Sequence, residues 1–178
     1  AAAAIVSHTA WFKNRVRVFV IAQARQYLNG DIRIDRLGGN LFSGLELEGI
    51  SISLEGQPVV SVKDIGLRYN LYQLITSDLT IDELRVNEPV VHVEPDGENW
   101  TIAQLIKKQE SEADRQGPLA PIRIDEVGIS NGSILVADRV AANGVRIPRR
   151  VERIDAKLSF AYEPVHYSIA IDHVSFRA

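Results

Sequence analysis

The sequence predicts a mostly β protein in which an N-terminal amphipathic helix precedes a curled antiparallel β-sheet interrupted by a short helical insertion. Three observations carry this. The pattern hxhxxhxh, with h an aliphatic or aromatic residue, recurs as Leu45-Leu47-Ile50-Ile52, Val60-Val62-Ile65-Leu67, Leu79-Ile81-Leu84-Val86, Ile122-Ile124-Val127-Ile129 and Ile169-Ile171-Val174-Phe176. Partial copies stand at Ile32-Ile34-Leu37 and Ile154-Ala156-Leu158-Phe160. Period-two alternation marks strands with one apolar face. The central polar pairs, such as Glu48-Gly49, Lys63-Asp64, Asp82-Glu83, Asp125-Glu126 and Asp172-His173, would turn that face over unless the strand bulges or twists sharply there. Short turns rather than long helices separate the copies, which predicts an antiparallel meander. A sheet that curls around one aliphatic face is either a packed core or a container.

Thr9–Leu28 is the clearest helix, with Trp11, Phe12, Val16, Phe19, Val20 and Tyr27 at helical spacing and Asn29-Gly30 to end it. Its polar positions Lys13, Arg15, Arg17 and Arg25 are basic. Such a helix suits either a membrane surface or the end of the sheet, with its basic face in water. The preceding Ala1–Val6 is too short to span a bilayer, which takes about 20 apolar residues, and reads equally as the stub of an anchor or as a leader. Gly38-Gly39-Asn40 and Gly44 signal tight turns, and Glu55-Gly56-Gln57-Pro58 reads as a hairpin turn. Residues 70–78 read as a short helix or looped corner. Pro89 opens the edge of a further strand over 90–94. After a turn at 95–99, a short helix runs from Trp100 to about Gln109, and 111–121 form a linker. Beyond it Asn131-Gly132 predicts a type I′ hairpin. Arg146, Arg149, Arg150 and Arg153 cluster around Pro148, as a solvated loop or a contact for anionic head groups. The units are therefore a membrane-proximal helix at 1–30, a first β unit with its closing helix at 31–110, the linker, and a truncated second β unit at 122–178.

A net charge of −3 gives no case for nucleic acid. With no Cys there is no disulfide framework, and the absence of Met even at position 1 suggests a fragment. His8, His92, His166 and His173 lack the spacing of a zinc site. Gly39–Gly44 has the glycine spacing of a phosphate-binding loop, but Leu45-Glu46 follows where Lys-Ser/Thr is required. The acids recur in equivalent places of the strand pattern, which is architecture rather than an acid–base pair. The expectation is a protein without catalytic residues, metal or cofactor.

The stretch Leu37-Gly38-Gly39-Asn40-Leu41-Phe42-Ser43-Gly44-Leu45-Glu46-Leu47-Glu48-Gly49-Ile50 resembles the TamB/AsmA-like family. Three segments in the same order strengthen the likeness: Pro58-Val59-Val60 leading to Leu67-Arg68-Tyr69, Leu84–Val91, and Gly97-Glu98-Asn99-Trp100 opening a helix. The resemblance implies a single N-terminal anchor in the bacterial inner membrane and a periplasmic, taco-like β-groove. It also implies transfer of phospholipid between inner and outer membranes, or help in assembling outer-membrane proteins. The Ala-rich start would then be the end of that anchor.

On this reading Leu45, Leu47, Ile50, Ile52, Ile65, Leu67, Leu84, Val86, Val127 and Ile129 line the groove and hold acyl chains. Trp11, Phe12, Phe19, Arg15 and Arg17 lie near the inner membrane. Leaving about ten aliphatics uncovered would forgo roughly 15–30 kcal/mol of burial, more than a typical net stability of about 5–15 kcal/mol. The face therefore needs a cover: the helices, a second copy, or phospholipid acyl chains. The competing expectations are a scaffold whose open edge pairs with strands of an outer-membrane β-barrel protein, and an all-β domain with an ordinary core.

Overall fold

A computed structural model of the chain describes residues 28–40, 42, 44–70, 79–96, 99–105, 122–137, 148–163 and 166–177, with Asn14, Arg17, Val18, Ile21 and Arg25. Those five isolated positions have helical backbone conformation. Most of the expected Thr9–Leu28 helix, the start at Ala1–Val6, the corner at 71–78 and the linker at 111–121 lie outside the described residues.

The strands follow the alternation. They are β1 (Asp31–Asn40), β2 (Gly44–Leu54), β3 (Gln57–Arg68), β4 (Leu79–Asn87), β5 (Val90–Val93), β8 (Ile122–Val136), β9 (Arg150–Glu163) and β10 (His166–Arg177). Two short strands, β6 (Pro95–Asp96) and β7 (Asn99–Trp100), form a separate pair before the one described helix element, α1 (Thr101–Leu105). Trp100 thus closes a strand rather than opening the helix. The main sheet has eight strands in the order β1-β2-β3-β4-β8-β9-β10, with β5 bridging β3 and β8.

The expected hairpin at Glu55-Gly56 is present, with φ of 51° and 81° at its two central residues, as a type I′ turn requires. At the β1–β2 turn, Asn40 Oδ1 accepts from the Phe42 amide at 2.9 Å. Gly39 and Gly44, which have the glycine spacing of a phosphate-binding loop, flank this turn.

Two expectations are corrected. The sheet is not purely antiparallel, because β8 runs parallel to both β4 and β5. Strands on either side of the linker therefore share one sheet. Parallel pairing needs a crossover of a dozen residues or more, and the stretch from β6 through α1 to residue 121 provides it. Asn131-Gly132 is not a hairpin, since β8 continues through it from Ile122 to Val136. A type I′ turn needs positive φ at both residues, and only Asn131 (φ 52°) has it. Gly132 serves close approach instead, because a Cβ there would lie 3.2 Å from Pro89 Cγ and 3.3 Å from Ile154 Cβ.

The polar pairs keep one face apolar by two devices. The first is a crease running straight across the sheet. Asp35 falls opposite Gly49, and Gly49 opposite Lys63, within registers that continue unshifted on both sides. Lys63 falls opposite Glu88, and Glu88 opposite Asn131. Along this line Gly49, Glu88 and Asn131 adopt φ of 62°, 48° and 52°; in β9, whose register with β8 shifts on both sides of Gly132, Arg153 has φ 51°. A left-handed residue interrupts the pleat, so alternation restarts on the same side. From β1 to β8 the pairing continues in register across this line, whereas β8 and β9 meet there with register shifts on both sides of Gly132. Pro89, which has no N–H to give the ladder, sits at the break between β4 and β5. The joint is still held to β8 by Glu88 N–H donating to Ser130 O and Ser133 N–H donating to Pro89 O, both at 2.8 Å.

The second device is the bulge. β4 and β8 step together at Asp82 and Asp125, but β9 does not, and its register with β8 shifts between Ile124 and Val127. A similar shift sets off Asp172 in β10.

The crease holds non-glycine residues in strained backbone, and Arg153 is exposed. Arg153→Gly is therefore expected to be neutral or stabilising by up to about 1 kcal/mol, and Arg153→Val destabilising by about 1–2 kcal/mol. Urea unfolding checks this, and the sign is opposite to that for glycine in an ordinary strand.

Candidate functional site

Pairing registers assemble the apolar residues into rows that cross the strands at right angles. One row is Leu37-Leu47-Ile65-Val86-Ile129-Ala156-Val174. The next is Leu45-Leu67-Leu84-Val127-Leu158-Ile171. A third, Ile32-Ile52-Val60-Val91-Ile134-Val151, lies beyond the crease, and Ile34-Ile50-Val62 stands between. Successive strand residues point to opposite faces, so the rows make one continuous apolar face. All ten residues expected to line a groove (Leu45, Leu47, Ile50, Ile52, Ile65, Leu67, Leu84, Val86, Val127, Ile129) lie on it.

That face is unevenly covered. Ile34, Leu37, Leu47, Ile50 and Val62 form a buried cluster at the β1–β3 end, with Ile21 packed against it. Across β4, β8 and β9 the described apolar residues are mostly half-buried. At β10 the face is open: Ile169, Ile171, Val174 and Phe176 are 50–64% exposed. Among the described residues the most accessible part of the face thus lies on a strand outside the ten expected residues. The signal was present, because β10 carries the full hxhxxhxh pattern, but the pattern does not tell a covered copy from an open one.

Of the expected membrane-proximal residues, Trp11, Phe12, Arg15 and Phe19 lie outside the described residues. Arg17 reaches β1, where its guanidinium donates to Ile34 O at 3.3 Å and Asp35 O at 3.4 Å. Adjacent carbonyls of a regular strand point opposite ways, and the crease at Asp35 lets one side chain reach both. At the far end of β1, Asn29 donates from its amide to Leu105 O (2.7 Å) and from its side chain to Gln104 O (3.1 Å). These bonds fasten α1 beside Gly30 and Ile52, and Leu105 is buried.

The opposite face is polar and laced by ion pairs between neighbouring strands. Arg36 pairs with Glu48, Lys63 with Glu88, Arg68 with Glu83 at 3.1 Å, and Lys157 with Glu126 at 2.8 Å. Hydrogen bonds to their carboxylate partners raise the pKa of Arg36, Lys63 and Lys157 above the ordinary values. Behind the crease an open cleft of about 470 Å³ is bordered by Arg33, Asp35, Ser51, Ser61, Lys63 and Glu88. From the basic cluster, Arg150 pairs with Glu152 at 2.5 Å. Among the described residues no group of His, Asp and Glu could hold a metal ion, and no helix is long and apolar enough to cross a membrane.

Fold and site together define a mostly β protein built as one broad sheet with a continuous apolar face. The chain belongs to the AsmA family, whose sequence model matches residues 1–149. No curated protein gives a significant match.

Proposed function

We propose that this chain is the N-terminal part of a TamB-like, bridge-type lipid-transfer protein. It carries phospholipid acyl chains along an apolar β-groove between the inner and outer membranes of a bacterial envelope. It works without catalysis or cofactor, from a single N-terminal anchor in the inner membrane, with its bulk in the periplasm. The observation that carries the reading is the continuous apolar face, closed at β1–β3 and half or more exposed along β10. An acyl chain is a competitive cover, since each buried methylene contributes about 0.8 kcal/mol. Family membership supports a lipid-transport or assembly role.

Native mass spectrometry with lipid extraction on the chain produced in bacteria tests this. Stoichiometric phospholipid is expected, and its loss in Ile171→Asp/Val174→Asp with the circular dichroism of the sheet unchanged. A lipid-free protein, or a variant that keeps its lipid, would sink the reading. The apolar edge of β10 favours a second reading, a scaffold that helps assemble outer-membrane β-barrel proteins by pairing with their strands.

A further inference from the structure

The helix α1 has five residues, too few to hold as a helix in water on its own. It is tied down at both ends instead. At its start Thr101 N–H donates to Glu94 O at 2.9 Å, and Glu94 N–H donates to Thr101 Oγ1 at 3.1 Å. At its end the Leu105 and Gln104 carbonyls accept the two bonds from Asn29. Glu94 follows β5 and Asn29 precedes β1, and β2 and β3 lie between these strands. α1 is thus a strap that joins the end of β5 to the start of β1, past the two strands between them.

Of the five side chains of the strap, only that of Leu105 is buried, at 4% exposed. Ile102 and Ala103 are exposed, and Thr101 and Gln104 are half-buried. A Cβ on Gly30 would lie 3.6 Å from Leu105 Cδ2 and 3.5 Å from Ile52 Cγ2, so Leu105 sits beside Ile52. Ile52 belongs to the apolar row Ile32-Ile52-Val60-Val91-Ile134-Val151. Within that row Ile32 is buried, and Ile52, Val60, Val91, Ile134 and Val151 are half-buried. The row is covered best at the corner where Leu105 sits.

We propose that Leu105 is a displaceable plug. It holds the place that an acyl tail takes when one lies along this row, and the strap lifts to admit the tail. The inference rests on the groove reading and adds to it how the empty face is closed. The strap is fastened by one side chain and the end bonds just named, and such a segment belongs to the low-stability end of a structure. Its other large apolar residue, Ile102, is already exposed and loses no cover when the strap moves. An acyl tail of about 16 carbons buries several times the apolar area of one leucine side chain, so the exchange gains burial.

The test uses the whole chain after lipid extraction, with dodecylphosphocholine below its micelle concentration as the probe. On binding, the Asn29 amide is expected to exchange its hydrogen about tenfold faster, because its acceptor Leu105 O leaves with the strap. Leu105→Ala should bind the probe about tenfold more tightly. Asn29→Ala keeps Leu105 but loses the side-chain bond to Gln104 O, and it should also bind more tightly. Tighter binding by Leu105→Ala alone would mean that the probe merely fills the space of the missing side chain, which overturns the plug. Binding that leaves the Asn29 amide protected would overturn the plug while the groove stands. A probe that binds no form of the chain would overturn plug and groove together.

Discussion

Leu47→Asp is expected to abolish folding of the sheet, whereas Ile171→Asp leaves it folded. Both residues belong to the same repeating pattern, so a reading from sequence would rank them alike. Leu47 is 6% exposed and belongs to the buried cluster with Ile34, Leu37, Ile50 and Val62. Removing its side chain alone should cost about 3 kcal/mol. An unpaired carboxylate in its place raises the penalty to about 5 kcal/mol or more, comparable to the whole stability of a small domain. Ile171 is 64% exposed, and the same change there should cost within about 1 kcal/mol. Circular dichroism and urea unfolding of the two variants decide it. If both unfold, the covered-to-open gradient across the face is wrong.

Gly49→Ala should cost about 2–3 kcal/mol although it adds one methyl group. The φ of 62° alone disfavours an L-residue by about 1 kcal/mol. A Cβ at this position would also press on Asp35, lying 2.8 Å from its Cγ and 2.9 Å from its Cβ and closer still to Oδ2. Asp35→Ala removes the carboxylate but leaves the Cβ, so the double variant should recover about 1 kcal/mol of the loss. Urea unfolding of the four proteins gives the coupling. A neutral Gly49→Ala would mean that the crease does not hold this backbone as described.

The strands were legible because their apolar residues alternate, and the hairpin at Glu55-Gly56 because a short segment with Gly and Pro separates two alternating runs. Strand direction was not legible. A period of two is the same read up or down, so nothing in Ile122–Ile129 distinguishes parallel from antiparallel neighbours. Asn131-Gly132 misled because a turn signal is local, while its use here is set by Pro89 and Ile154 from other strands. The need for a bulge or twist at each polar pair could be stated in advance. Which device a strand uses depends on whether its neighbour steps at the same height, and a single strand does not contain that information. Alternation puts the ten expected residues on one face, and the pairing registers keep them there. Their cover was hidden for the reason that hid the openness of β10, since burial belongs to the assembled sheet and not to any one strand.

The rows of apolar side chains also set a scale of length. Neighbouring strands lie about 4.8 Å apart, so the row from Leu45 to Ile171 is a rail about 24 Å long. That exceeds the roughly 15 Å that half a bilayer core gives to one acyl chain. A hydrocarbon tail laid along such a rail would find a branched aliphatic side chain at each tie, with no polar side chain in the row. Sliding by one tie would exchange each contact for a near-equivalent one. The surface would grip a tail firmly at right angles to the rail and only weakly along it.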